Sequence, residues 1–263
     1  IESAAADADL LLAHSLHLRR IDLIIHRDRL LTEEEMASFG SLISRRERRE
    51  PVAYITGEKE FYSRSFQVNR HVLIPRPETE ILVEQALERA PRGATVFEIG
   101  VGSGAVICSI LAERGDLRGI GNDISIEALG TARTNASDHG VSGRLKLFAG
   151  HTFQGLRGQM QVIVANPPYI SEREAFALDD DVKLHEPARA LFGGKDGLDI
   201  VKEIINGAPD HLSPGGLLLM EAGIGQKEAV ESLVKGQEGI AVRTWKLDLA
   251  GIPRVVIMER IHG

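Results

Sequence analysis

From Ala94 onward the chain alternates short apolar runs with helical patterns, and no other feature constrains its fold as tightly. Thr95 to Ile99, Gly119 to Ile124, Leu145 to Ala149 and Val162 to Ala165 have strand length and end at turn residues. Between them, Ala105 to Glu113 and Ile126 to His139 carry apolar residues at helical spacing. A helix through Ile200, Ile204 and Ile205 follows, then strands at Leu217 to Glu221, near Ile240 to Leu247 and near Arg254 to Glu259. This alternation predicts an α/β fold in which a parallel sheet carries helices on both faces.

The segment ahead of that region has a different character. Leu10, Leu11, Leu12, Leu16 and Leu18 repeat at helical spacing, and Thr32 with Glu35 forms a capping box that opens a long helix. Pro51 is expected to stop that helix. Glu60 to Ile74 places Phe61, Tyr62, Phe66, Val68, Val72 and Ile74 among polar residues and predicts a hairpin. Pro75 to Thr79 is a stiff connector into a helix from about Glu78 to Ala90. The expected division is therefore 1–56 helical, 57–76 a β-hairpin linker, and 77–263 the sheet domain. The sequence opens at Ile1, already within helical pattern, so part of the native N-terminus is expected to lie upstream.

Composition narrows the function classes. No stretch approaches the roughly 20 apolar residues that span a bilayer, and no signal-peptide pattern opens the chain. Cys108 is the single cysteine of 263 residues, which fits a reducing cytoplasm and leaves no internal disulfide framework. The net charge of −7, from 31 basic and 38 acidic residues, argues against charge-driven nucleic-acid binding. Arg45, Arg46, Arg48 and Arg49 cluster, and a solvated helix face is the expected explanation.

Glu98-Ile99-Gly100-Val101-Gly102-Ser103-Gly104 lies at a strand-to-helix junction. Glycines there let the backbone approach a ligand, and the helix start offers free N–H groups. Asp123 ends the next strand roughly 20 residues on, where a carboxylate accepts from ribose hydroxyls. This pattern suits NAD and S-adenosylmethionine equally.

Asn166-Pro167-Pro168-Tyr169 separates the two. The prolines remove two backbone donors and stiffen a turn at the carboxyl end of a buried strand. The Asn166 side-chain oxygen and the Pro167 carbonyl then both accept from one planar –NH2 group, on which the Tyr169 ring lies flat. A dehydrogenase needs a proton-transfer group beside a carbinol, and none stands at a strand end here. Methyl transfer to an amide or exocyclic amine needs orientation instead. Hydrogen bonds to the two acceptors raise electron density on the nitrogen and favour its pyramidalisation toward the methyl group.

With these residues in view, the chain resembles the HemK/PrmC family of protein-(glutamine-N5) methyltransferases. The resemblance rests on Asn166 to Tyr169, the Glu98 to Gly104 loop, Arg76-Pro77-Glu78-Thr79-Glu80 and Glu50 to Gly57. Glu186-Pro187, Asp196 to Asp199 and Leu249 to Val256 extend it over nearly the whole chain. It implies a Rossmann-like, seven-stranded class I S-adenosylmethionine-dependent catalytic domain with a small N-terminal helical docking domain. The implied reaction is N5-methylation of the Gly-Gly-Gln glutamine in class 1 release factors, yielding S-adenosyl-L-homocysteine.

The resemblance also implies roles. Gly100, Val101, Gly102, Ser103 and Gly104 hold the methionine part of the cofactor and Asp123 its ribose. Glu98 meets the cofactor's ammonium group. His151 stands where the family usually carries Asp beside the adenine, with Thr152 and Phe153 as further adenine neighbours. Asn166 binds both cofactor and glutamine, Pro167, Pro168 and Tyr169 complete the glutamine pocket, and Phe61 and the Pro75 to Thr79 connector close over it. Asn166, Pro167 and Tyr169 are the expected catalytic set, and no metal site is expected. Glu221 is expected to be structural and Cys108 to be core. The rival readings are an adenine-N6 or guanine-N2 nucleic-acid methyltransferase, a methyltransferase for a ribosomal-protein glutamine, and a non-catalytic module that binds release factors.

Overall fold

The structure is a computed structural model that describes residues 4–261, so the outermost residues of the first and last expected segments lie outside the described residues. The chain begins with α1 (Ala4–Ser15), α2 (Arg20–Ile25), α3 (Glu33–Glu47) and α4 (Val52–Thr56). Thr32 Oγ1 accepts from Glu35 N at 3.2 Å while Glu35 Oε2 accepts from Thr32 N at 2.9 Å, the capping box that the spacing predicts. Helix α3 ends ahead of Pro51, where Arg49 takes a φ of 67°; Pro51 caps the start of α4 instead.

The hairpin is shorter and earlier than expected: β1 (Glu58–Phe61) pairs antiparallel with β2 (Arg64–Gln67). Val68, Val72 and Ile74 are buried as expected of a strand, but in a loop packed against Tyr54 and Ala128. Tyr54 Oη donates to the Val72 carbonyl at 2.5 Å, pinning that loop to α4. After a short turn of helix at Pro77–Thr79, α5 (Glu80–Arg89) leads into the sheet.

Strands β3 (Thr95–Ile99), β4 (Arg118–Asp123), β5 (Leu145–Ala149), β6 (Met160–Ala165) and β7 (Leu212–Glu221) are parallel. Helices α6 (Ala105–Glu113) and α7 (Ile126–Asp138) connect the first three strands. Short helices α8 (Asp180–His185) and α9 (Ala188–Leu191), then α10 (Asp199–His211), lie between β6 and β7, with α11 (Lys227–Lys235) after β7. The sheet is not wholly parallel, because β8 (Ile240–Leu247) and β9 (Pro253–Arg260) form an antiparallel pair and β9 runs antiparallel to β7. Residues 248–252 are too few for the dozen or more that a parallel crossover needs. Asp248 closes that turn by accepting from Ala250 N and Ile252 N.

Strand order is β5-β4-β3-β6-β7-β9-β8. The chain runs outward from β3 to β5 and then returns to β3's other side as β6, making a topological switch point between β3 and β6. Alternate residues feed two cores. Val96, Val162 and Val164 face the α5–α6–α7 side, while Phe97, Ile163 and Ala165 face α10 and α11.

Arg46 departs from the expected solvated face. Its buried guanidinium bridges Asp7 of α1 at 2.8 Å and Asp181 of α8 at 2.7 Å. Among the described residues no helix is long and apolar enough to cross a membrane, and no group of three His, Cys, Asp or Glu is arranged to hold a metal ion.

Candidate active site

Open α/β sheets bind ligands outside the carboxyl ends of the strands at the switch point, and both motif loops emerge there. Gly100, Gly102 and Gly104 follow β3 with φ of 71°, 53° and 80°. A Cβ at Gly100 or Gly102 would meet nothing within 4 Å, so it is the left-handed backbone that reserves these positions for glycine.

The neighbouring strand end braces the loop. Asn122 O accepts from Val101 N at 2.9 Å, and Asp123 Oδ2 accepts from Gly102 N at 2.9 Å. Asp123 Oδ1 accepts from Ser125 N at 2.8 Å, and each carboxylate oxygen keeps a further lone pair. Asn122, which carries no motif signal in the sequence, is fully buried and also donates to the Thr152 carbonyl at 2.8 Å. It ties the glycine loop to the loop after β5.

A cavity of about 330 Å³ occupies this end of the sheet. Glu98, Gly100, Val101, Gly102, Ser103, Asp123, His151, Thr152, Asn166 and Pro167 line it; Phe61 and Pro168, expected at the glutamine pocket, line this cavity and not the pocket that holds Tyr169. Three expected residues do not. Gly104 sits behind the loop, where a Cβ would press on Ala132 Cβ at 3.1 Å. The Phe153 ring is packed in the core and stacks on His211 with centroids 4.4 Å apart. Tyr169 lines a neighbouring pocket, together with Leu73, Arg76, Asn166 and Pro167 among others. Asn166 and Pro167 are therefore a wall common to the two pockets.

Glu98 is buried, which pushes its carboxyl well above the ordinary carboxylate range, with the nearby Asp123 charge adding to the rise. Its Oε2 accepts from Ile107 N at 3.0 Å and so caps the first turn of α6 while bordering the cavity. His151 Nε2 lies 2.7 Å from Glu203 Oε2 of α10, so the imidazole has a carboxylate partner.

The Asn166 turn is held from behind. Asn166 Nδ2 donates to Thr79 Oγ1 at 3.2 Å, and Thr79 Oγ1 donates to Glu221 Oε2 at 2.7 Å. Tyr169 Oη donates to Glu221 Oε1 at 3.2 Å, and Gln226 Nε2 donates to the Tyr169 carbonyl at 2.9 Å. Among the described residues, no hydrogen bond engages Asn166 Oδ1 or the Pro167 carbonyl. Both acceptors named from sequence remain available. Gln226 is the residue that sequence reasoning missed, while Thr79 lies in the connector expected over the pocket. Glu221, expected to be structural, ends the strand beside β6 and braces both hydroxyls. Burial pushes its carboxyl up to about 7 and drives the Tyr169 hydroxyl far above its ordinary value.

Known proteins are similar to this chain in sequence and in fold. The family described as PrmC N-terminal domain matches residues 1–57, and the methyltransferase small domain matches residues 77–183. A release factor glutamine methyltransferase of Cereibacter sphaeroides is 43% identical over 263 residues, covering 100% of this chain and 89% of that protein. One of Geobacter sulfurreducens is 41% identical over 257 residues, covering 97% of this chain and 89% of that protein. This chain belongs to the release factor glutamine methyltransferase family.

A crystal structure of a methyltransferase from Pyrococcus furiosus superposes with a TM-score of 0.59 at 18% identity, covering 85% of this chain and 100% of that one. A ribosomal protein L11 methylase from Lactobacillus delbrueckii gives 0.55 at 17% identity, with 78% and 90% covered. These two show the fold, that of class I methyltransferases. Membership in the release factor glutamine methyltransferase family and this fold together make the chain an enzyme of methyl transfer.

Proposed function

We propose that the chain methylates the side-chain amide nitrogen, N5, of the glutamine in the Gly-Gly-Gln motif of class 1 release factors. The observation that carries this reading is the shared wall: Asn166 and Pro167 border the glycine-loop cavity on one side and the Tyr169 pocket on the other. A methyl donor in the first pocket and an amide in the second meet at that wall.

The residues of the glycine-loop cavity fit S-adenosylmethionine. Its backbone loop at Gly100 to Ser103 is free to approach a ligand, Asp123 retains lone pairs for ribose hydroxyls, and the walls are largely apolar. His151 and Thr152 are the adenine neighbours in this reading, and Glu98 faces the amino-acid end. When bound, the cofactor supplies an electrophilic methyl group on a sulfonium and leaves as S-adenosyl-L-homocysteine.

The protein's part is orientation and polarisation. Asn166 Oδ1 and the Pro167 carbonyl accept the two N–H bonds of the substrate amide, drawing electron density onto a nitrogen that otherwise lends its lone pair to its carbonyl. The rigid Pro167-Pro168 backbone fixes those acceptors before substrate arrives. No strong base is required, because an alkylated amide nitrogen is acidic and releases its proton along these hydrogen bonds to water.

The N-terminal helices serve as the docking region for the release factor. Arg46 ties α1 and α3 to Asp181, and the adjacent Asp179 and Val182 border the Tyr169 pocket. Such a substrate places the enzyme in the cytoplasm. The test is methyl transfer from labelled S-adenosylmethionine to a purified release factor, beside the same factor with its Gly-Gly-Gln glutamine changed to alanine. Label on the first alone establishes the reaction and the modified residue. Label on both, or on neither with cofactor binding intact, overturns the substrate assignment.

A further inference from the structure

The Asn166 amide is useful only one way round. Turned with Oδ1 toward the substrate it accepts from an –NH2 group; turned over, it presents its own –NH2 and opposes the substrate donor for donor. What holds it in the useful orientation is a line of side chains from three separate elements. We propose that Glu221 is a positioning residue that sets the direction of the Asn166 amide through the hydroxyl of Thr79.

An ionised carboxylate has acceptors only, so both hydroxyls that touch Glu221 donate to it: Thr79 at 2.7 Å and Tyr169 at 3.2 Å. Thr79 has a single hydroxyl proton. Once that proton points at Glu221, its oxygen only accepts, and what it accepts is Asn166 Nδ2 at 3.2 Å. Oδ1 is then left for the substrate.

A proton on Glu221 Oε2 reverses the line. The carboxylic acid donates to Thr79 Oγ1, the threonine hydroxyl turns to Asn166, and the amide gains by presenting Oδ1 inward and Nδ2 to the pocket. The same carboxylate also fixes the phenol of Tyr169, so the two pocket walls share one anchor. The charged groups that face Glu221 are Arg254 from β9, which favours its ionised form, and Glu78 from the connector, which opposes it. Burial dominates both and brings the carboxyl up to about 7, so the switch falls within the working pH range.

The proposal rests on the amide-methylating reading of the site, but its first test does not depend on that reading. In full-length chain with labelled Asn and Glu, the Asn166 side-chain –NH2 resonance and the Glu221 carboxyl carbon are followed from about pH 5 to about pH 9. The Asn166 signal is assigned by its loss in Asn166→Asp. The expected result is one common midpoint in the wild type, loss of the Asn166 titration in Thr79→Val, and its retention in Thr79→Ser. An Asn166 signal that stays flat while Glu221 titrates overturns the relay, as does a titration that survives in Thr79→Val.

Kinetics give the second readout. Methyl transfer to a release factor should show an acid limb in kcat at that midpoint, absent in Glu221→Gln and Thr79→Val. Thr79→Val should also lower kcat by roughly 10- to 100-fold, as loss of a supporting hydrogen bond does behind other reacting groups. A purely structural role lowers the melting temperature and leaves the acid limb in place, and that outcome rejects the proposal. Common NMR midpoints without methylation of any release factor sustain the relay and reject the substrate reading instead.

Discussion

Arg46 of α3 and Asp181 of α8 meet at 2.7 Å, and the same guanidinium reaches Asp7 of α1 at 2.8 Å. One buried cation thus gathers the N-terminal helices and the segment that follows the Asn166 turn. Arg46→Leu removes the shared cation and should cost about 2 kcal/mol, because charged hydrogen bonds at a buried site are lost without replacement. Denaturant unfolding gives the magnitude. Hydrogen exchange should show the loosening concentrated in α1 and α8, and uniform exchange across the sheet would contradict it.

Asn166→Ala leaves the hydrogen-bonded frame of β6 and the prolines in place while removing one of the two amide acceptors. Methyl transfer to a release factor should fall by at least about 10²-fold, the usual cost of losing one preorganised polar group at a reacting centre. Circular dichroism should be unchanged. Near-normal turnover would remove the cradle account.

Glu221 also makes stability depend on pH. Its folded carboxyl titrates at about 7 against 4.5 for the free group, chiefly through burial, so the folded state binds the proton more tightly than the unfolded chain does. The stabilising contribution is full below about 4.5 and is lost as pH rises through about 7. Glutamine never ionises. Glu221→Gln should therefore raise the melting temperature relative to wild type at a pH above 7 and change it little near 4.5. Thermal melts across pH test the sign, and an equal shift at both ends would refute it.

Cys108 is fully buried on α6, and burial pushes its thiol up to about 12. The thiolate that alkylating reagents need is therefore scarce in the native protein. Iodoacetamide should label Cys108 only as the protein unfolds, with labelling tracking denaturant concentration. Fast labelling of the native enzyme would mean that α6 opens locally.

What the sequence makes legible is local. Strand β3 and helix α6 fall where apolar runs and glycine punctuation place them, because burial on both faces of a sheet leaves a continuous apolar run. The Asn166 turn is legible because two prolines leave few backbone choices. Val68, Val72 and Ile74 misplace the hairpin because a buried loop needs the same apolar residues as a strand. Phe153 neighbours two cavity residues in sequence, but its ring fills the space over Gly207. The Thr79–Asn166 and Thr79–Glu221 contacts join residues 87 and 142 positions apart. Nothing periodic marks them, since their partners are chosen by topology.

Ile99 and Ala165 are paired rungs of the β3–β6 ladder, and Gly100 and Asn166 are the next residues on each rail. The glycine loop and the Asn166 turn therefore leave the sheet from neighbouring strands whose backbones lie about 4.8 Å apart. The β3–β6 ladder lies at the middle of the seven-stranded sheet, so the register of the two loops is set by the most deeply placed hydrogen bonds in the fold. The edges of the sheet, at β5 and β8, stand apart from that central register, so a change at the rim leaves the relation between the two loops untouched.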